Sequence, residues 1–249
     1  MPVPQNFVPH AGLLAGRVIL ITGASSGLGR ALAVESARIG ATVILCGRRQ
    51  GRLESVYDEI EGLGAPQPAI VTLDLETATA VDYDRLAGTI GSEFGRLDGL
   101  VHSAALLGDR TPLEQYSVPT WCRVLHVNLT APFILTQVLL PQLRRSQDAS
   151  VIFVSSGVAT SPRPYWGAYA VAKCGLEAVR SMWCQEMEIE PNVRMNSVNP
   201  GRMRTPMRAA AYPAEDPNTL PAPSSVAAPF LYLLSHLARE VRGEYLNAQ

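Results

Sequence analysis

The sequence predicts a single-domain, doubly wound α/β fold: a mostly parallel sheet with helices on both faces. Three observations lead there. Short apolar runs alternate along the chain with longer amphipathic segments, and a glycine-rich turn follows the first run directly. The 249 residues, 47% of them apolar, supply one sizeable core but are short for two full domains. Strand-length segments separated by helix-length ones pair in parallel through right-handed crossovers, the Rossmann-type arrangement.

In chain order, RVILIT (17–22), TVILC (42–46), AIVTL (69–73), GLVHS (99–103), SVIFVSS (150–156) and VRMNSV (193–198) read as strands. The stretch from about Pro119 to Leu143 reads as one long helix, and another is expected from about Ala168 to Glu188. Residues 202–224 break the rhythm with Pro206, Pro213, Pro217, Pro221 and Pro223, and predict a substrate loop with a short helix at most. GEYLN (243–247) predicts a last short edge strand. Residues 1–15, with Pro2, Pro4 and Pro9, read as a leader ahead of a domain spanning 16–249; they lack the basic start and apolar run of a secretory signal.

The 21 basic and 22 acidic side chains leave a net charge of −1 and form no basic run, so no nucleic-acid partner is expected. Cys46, Cys122, Cys174 and Cys184 show neither metal-ligand spacing nor a disulfide framework, so no metal is expected. No uninterrupted apolar run reaches the ~18 residues of a membrane span. The expectation is a cytoplasmic protein without a membrane partner.

Thr22-Gly23-Ala24-Ser25-Ser26-Gly27-Leu28-Gly29 lies between the first strand and the helix after it, the setting of a dinucleotide-binding turn. Gly23 permits the tight turn, Gly27 lets the main chain approach a pyrophosphate, and Gly29 lets the helix pack on the sheet; the helix amino end offers free N–H groups to the anion. At the end of the second strand, Cys46-Gly47-Arg48-Arg49 has no acid to bind the two ribose hydroxyls of NAD. Arg48, with Arg49, instead suits the 2′-phosphate of NADP, so NADP(H) is expected over NAD(H). Asp74, after the third strand, is a candidate for the adenine amino group or for a helix cap.

Tyr169 and Lys173 are four residues apart on one helical face. A phenol with a pKa of about 10 is a poor acid at neutral pH, and a neighbouring ammonium favours its ionised form. Ser156, at the end of the fifth strand, is placed to orient a carbonyl, and Asn128, in the long helix, to support a water relay. Tyr169 would give the proton, and Lys173 would tune Tyr169 and bind ribose hydroxyls.

On these residues the chain resembles the classical short-chain dehydrogenase/reductase family from about Gly16 to Leu246. The strings VILCGR, LDGLVHSAALLGD, YWGAYA and PMRAAAYPAEDP are similar to its YciK-like bacterial branch. The resemblance implies a nicotinamide beside Asn199-Pro200-Gly201, with Thr205 on its carboxamide and Leu75 and Ala104 also at the cofactor. It further implies a homodimer or homotetramer paired through the helices after the fourth and fifth strands, with Met182, Trp183 and Met187 contributing.

One segment departs from the family pattern: His102-Ser103-Ala104-Ala105 stands where Asn-Asn-Ala-Gly is usual, which predicts weaker cofactor binding. His102 itself reads as a strand-end histidine, not a catalytic one. The function expected is NADPH-dependent reduction of a small ketone or aldehyde, with the reverse oxidation possible. The alternatives are an NADP-binding regulator without turnover and an NAD-linked alcohol dehydrogenase.

Overall fold

The structure, a computed structural model, describes residues 7–249. Seven parallel strands form one sheet in the order β3-β2-β1-β4-β5-β6-β7. They are β1 (Val18–Thr22), β2 (Thr42–Gly47), β3 (Ala69–Thr72), β4 (Gly99–His102), β5 (Ala149–Val154), β6 (Val193–Asn199) and β7 (Tyr245–Asn247). The expected edge strand is thus present. The winding reverses between β1 and β4, which opens a crevice at the carboxyl ends of the strands.

The helices are α1 (Gly27–Arg38), α2 (Gln50–Gly62), α3 (Ala80–Glu93), α4 (Val118–Leu125), α5 (Ala131–Arg144), α6 (Gly157–Thr160), α7 (Gly167–Glu186), α8 (Pro206–Ala211) and α9 (Ala228–Leu234). Alternation along β1 sends Ile19 and Ile21 into one apolar layer, with Leu32 and Phe230, and Leu20 into the other, with Leu135 and Phe153. Both faces of the sheet are covered, which is why its strands read as continuous apolar runs.

The expected long helix is continuous through a π-turn, His126–Thr130, that joins α4 to α5. Over its 27 residues it is long and apolar enough, by length and composition, to cross a membrane, although no uninterrupted apolar run spans it. Its place in the fold accounts for the composition: Leu135, Leu139 and Leu143 are fully buried in the core.

Other expectations need correction. Of the predicted leader, residues 1–6 lie outside the described residues, and the rest belongs to the domain. Leu14 is fully buried, its N–H donates to the Ile39 carbonyl at 3.0 Å, and Phe7 meets Tyr232 edge to face. Met187 packs in the core, so it is unavailable to an outer face, whereas Met182 is 55% exposed and Trp183 stacks on Phe133. In the proline-rich segment Pro206 opens α8, and Pro217 and Pro223 open single 3₁₀ turns, so these prolines start short helices.

At the amino ends of the strands, opposite the crevice, lies a buried ionic cluster. Arg194 pairs with Asp148 and donates to the carbonyls of Leu233 and Ser235 at 2.6 and 2.8 Å; Asp148 also takes Arg17 at 3.2 Å. Asp98 accepts from Arg96, Ser146 and the Val18 N–H. These contacts tie the beginnings of β1, β5 and β6 together.

Candidate active site

A cleft of about 430 Å³ runs along the carboxyl ends of the strands. One end is the glycine turn. A Cβ on Gly29 would collide with the Gly23 carbonyl, and one on Gly23 would come within 2.9 Å of the Ala104 Cα. Only hydrogen fits at either position, so the main chain of the turn lies open to the cleft at the amino end of α1, the cradle a pyrophosphate requires. Ser25, Ser26, Gly27 and Leu28 line the same wall. The residues present therefore fit a dinucleotide cofactor.

Arg48 and Arg49 line the next stretch, and the sequence reading missed Arg52, one turn farther along α2. It also missed Glu76, which lies 3.9 Å from Arg48 and 3.8 Å from Arg123 and so has its charge already balanced. Asp74 and Leu75 line the cleft as expected. Asp74 caps no helix: α3 is capped by Thr79 in a reciprocal box with Asp82, while Asp74 accepts from the Glu76 N–H at 3.0 Å and closes a turn.

The far end holds Ser156, Tyr169 and Lys173. Ser156 lies beyond β5 and caps α6; its carbonyl accepts from the Tyr245 hydroxyl at 3.2 Å, so the last strand steadies the serine. Tyr169 and Lys173 are both buried on α7. Burial pushes the Tyr169 phenol up, and a hydrogen bond with Ser156 pulls it part of the way back. Burial also lowers Lys173 to about 8, against an upward pull from Glu177. The Lys173 ammonium sits 5.7 Å from the Tyr169 ring centre and donates to the Val154 carbonyl at 2.6 Å. Desolvation is the larger influence on the phenol in this geometry, so its net shift is upward, against the expectation of a net lowering.

Asn128 does not line the cleft. It sits in the π-turn behind it, with both ends of its amide on Leu106: Oδ1 accepts from the N–H at 2.7 Å and Nδ2 donates to the carbonyl at 2.8 Å. Its side chain is a clamp on the segment after β4. Across the cleft, Pro200, Gly201 and Thr205 line the opposite wall, and the Thr205 methyl group stands 3.4 Å from where a Gly27 Cβ would be. The Gln249 side chain donates to the carbonyls of Pro200 and Arg202 at 2.7 Å each, a contact no local motif announces.

The family model for short chain dehydrogenases matches residues 17–216. The chain belongs to the short-chain dehydrogenase/reductase family. It is 41% identical over 245 residues to the oxidoreductase YciK of Escherichia coli K12, covering 98% of this chain and 96% of that one. A short chain dehydrogenase structure from Pseudomonas syringae is 48% identical, with a TM-score of 0.96 over 98% of this chain and 99% of that one. One from Escherichia coli CFT073, complexed with NADPH, is 42% identical, with a TM-score of 0.94 over 97% and 100% of the two chains. This member of the family is therefore an NAD(P)-dependent oxidoreductase enzyme.

In this dehydrogenase the unusual 102–105 segment is well anchored. The N–H groups of Ser103 and Ala104 both donate to the Thr22 hydroxyl at 3.1 Å, and that hydroxyl donates to the Val101 carbonyl at 3.3 Å. One threonine supplies the tie that the departure removes. His102 closes β4, stacks on Phe153 and shares a 2.9 Å hydrogen bond between Nε2 and the Thr136 hydroxyl, while Nδ1 has no partner among the described residues.

Burial, with Lys173 nearby, lowers His102 to about 3. Between that value and the unfolded pKa of about 6.5 the unfolded chain binds a proton that the folded one refuses. Stability therefore falls as pH drops through this window. We expect His102→Asn to show a shallower loss of Tm from pH 6.5 toward pH 4 than the parent protein; parallel curves would remove His102 as the cause.

Lys173 carries a sequence signal that periodicity and motif spacing overlook. It is the only lysine in the chain, the rest of the 21 basic side chains being arginine. A guanidinium keeps its charge where an ammonium can shed it, so the one compact, titratable cation of the sequence stands beside Tyr169.

Proposed function

We propose that this enzyme reduces a ketone or aldehyde to an alcohol with NADPH in preference to NADH. One observation carries the reading: a single cleft joins an arginine-lined end to Ser156 and the buried Tyr169 and Lys173. The glycine turn would hold the pyrophosphate, Arg48 with Arg49 and Arg52 the 2′-phosphate, and Pro200, Gly201 and Thr205 the nicotinamide end. The NADPH complex of the Escherichia coli CFT073 relative supports the choice of cofactor.

When bound, the nicotinamide supplies the hydride. The Ser156 hydroxyl donates a hydrogen bond to the substrate carbonyl and holds it beside Tyr169. As negative charge develops on the carbonyl oxygen, the Tyr169 hydroxyl transfers its proton there. The raised phenol pKa keeps that proton in place at neutral pH, which suits reduction. Lys173, fixed by Val154, stabilises the phenolate left behind. Asn128 acts as a positioning residue through Leu106, since its amide is committed at both ends.

The first measurement is a titration of the protein with NADPH and with NADH, followed by nicotinamide fluorescence. Arg48→Asp removes a charge-assisted contact of roughly 1.5–3 kcal/mol and sets a carboxylate toward the 2′-phosphate, so the NADPH:NADH affinity ratio should fall by at least about tenfold. An unchanged ratio would sink the assignment of Arg48 and favour an NAD-linked dehydrogenase.

The same reading gives the enzyme a small-molecule carbonyl or alcohol substrate and a homo-oligomeric state. Phe133 on α5 and Val171 and Met182 on α7 are exposed apolar side chains suited to pairing with a second copy.

A further inference from the structure

Four side chains cluster at one side of the cleft: Trp166 and Arg208, which line it, and Arg110 and Tyr212 packed against them. The Arg110 guanidinium lies 4.1 Å from the centre of the Trp166 ring and 5.5 Å from that of Tyr212, and Arg208 covers Tyr212 at 3.7 Å. The cluster joins three segments, the one after β4, the turn before α7, and α8 with its carboxyl-terminal cap. Tyr165, just before Trp166, holds a left-handed backbone with φ of +67°, a conformation unfavourable for a residue bearing a side chain.

The two cations of the cluster are not equivalent. Arg208 gives Nε and Nη2 to the Glu215 carboxylate at 2.5 and 2.6 Å, so its charge is already balanced. Arg110 makes no hydrogen bond and no ion pair among the described residues, and it is exposed. It rests against two rings that are 6.2 Å apart and tilted by 52°, which restricts the guanidinium while its N–H donors keep no acceptor among the described residues. A guanidinium so held, with its donors free, matches a carboxylate or phosphate. Trp166 also neighbours Tyr169, with ring centres 5.6 Å apart, so the free fork stands no farther from the phenol ring than two ring spacings.

We propose that the substrate carries an oxyanion group, a carboxylate or a phosphate, a few bonds from its carbonyl, and that Arg110 binds that group. The carbonyl part of this statement rests on the reductase reading above; the anion site rests on the Arg110 cluster alone.

The test uses NADP⁺-loaded protein, in which no hydride is available and binding is read without turnover. Pyruvate, acetoacetate and levulinate are titrated by calorimetry beside their methyl esters, and dihydroxyacetone phosphate beside dihydroxyacetone; the two sets separate a carboxylate from a phosphate. At least one anion should bind about tenfold or more tightly than its neutral counterpart, and Arg110→Gln should bring the pair to within about twofold. The NADP⁺ affinity of the variant, read in the same experiment, reports that it is folded. Arg145→Gln removes the same charge at the amino ends of the strands and should leave the preference intact.

Three results would overturn the proposal: no preference for any anion, a preference that survives Arg110→Gln, or one lost equally in Arg145→Gln. Anion preference dependent on Arg110, with no turnover of any probe by the NADPH-loaded protein, supports the anion site and counts against the reductase reading. Turnover of neutral carbonyls without anion preference does the reverse.

Discussion

Tyr169→Phe should lower kcat for carbonyl reduction by about 10²–10⁴-fold, the range that a positioned proton donor contributes, while NADPH affinity changes by less than about threefold. The ring is buried at 7% exposure among Tyr116, Val158 and Ala168, and phenylalanine preserves that packing. Only the hydroxyl is lost, and with it the bond to Ser156. The pH dependence has a definite sign. Burial, the larger influence on the phenol, raises its pKa, so the proton stays on through the neutral range and reduction declines only on the alkaline side, whereas alcohol oxidation needs the phenolate and rises there. A steady-state rate measured across pH with saturating NADPH, beside a fluorescence titration of the cofactor, checks both parts. Turnover within tenfold of the parent enzyme would remove Tyr169 from the proton path.

Asp148→Ala should cost about 3–5 kcal/mol, the penalty for leaving a buried charge without its partner. Two arginines depend on this carboxylate, and Arg194 is 1% exposed. Burial, then repulsion from Arg17, already pushes Arg194 down to about 9, so loss of the counter-charge leaves a cation that the site tolerates poorly. For a domain of this size the loss corresponds to roughly 10 °C or more in Tm. The cluster lies at the opposite ends of the strands from the cleft, so the fraction that remains folded should bind NADPH with unchanged affinity. A Tm within about 2 °C of the parent would mean that the arginines find water or another acceptor. Arg194→Met tests the converse, because removing the cation removes the desolvation cost along with the bond.

Much of this enzyme could be read along the chain because the relevant forces are local. A parallel sheet buried on both faces demands continuous apolar runs, so six strands announced themselves, and GEYLN marked the short edge strand β7. The glycine turn was legible because close backbone approach excludes every side chain, and the four-residue step from Tyr169 to Lys173 is the pitch of a helix. These are constraints that neighbours in sequence impose on each other.

Contacts between distant segments were decided only on folding. Sequence reading placed Asn128 in the catalytic set, but the π-turn sends its amide to Leu106, and which atoms meet there depends on how the segment after β4 packs. Leu13 and Leu14 looked like part of a leader until Ile39 and the core supplied their partners. The lowered Lys173 and raised Tyr169 arise from burial, which no local pattern encodes. Arg110 shows the limit most plainly: in the sequence it is one of many scattered arginines, and its meaning comes from two rings brought to it by segments more than fifty residues away. Local chemistry set the strands, the turn and the helical pair; desolvation and long-range packing, which exist only in the folded chain, set the protonation of the site and the side chains at its mouth.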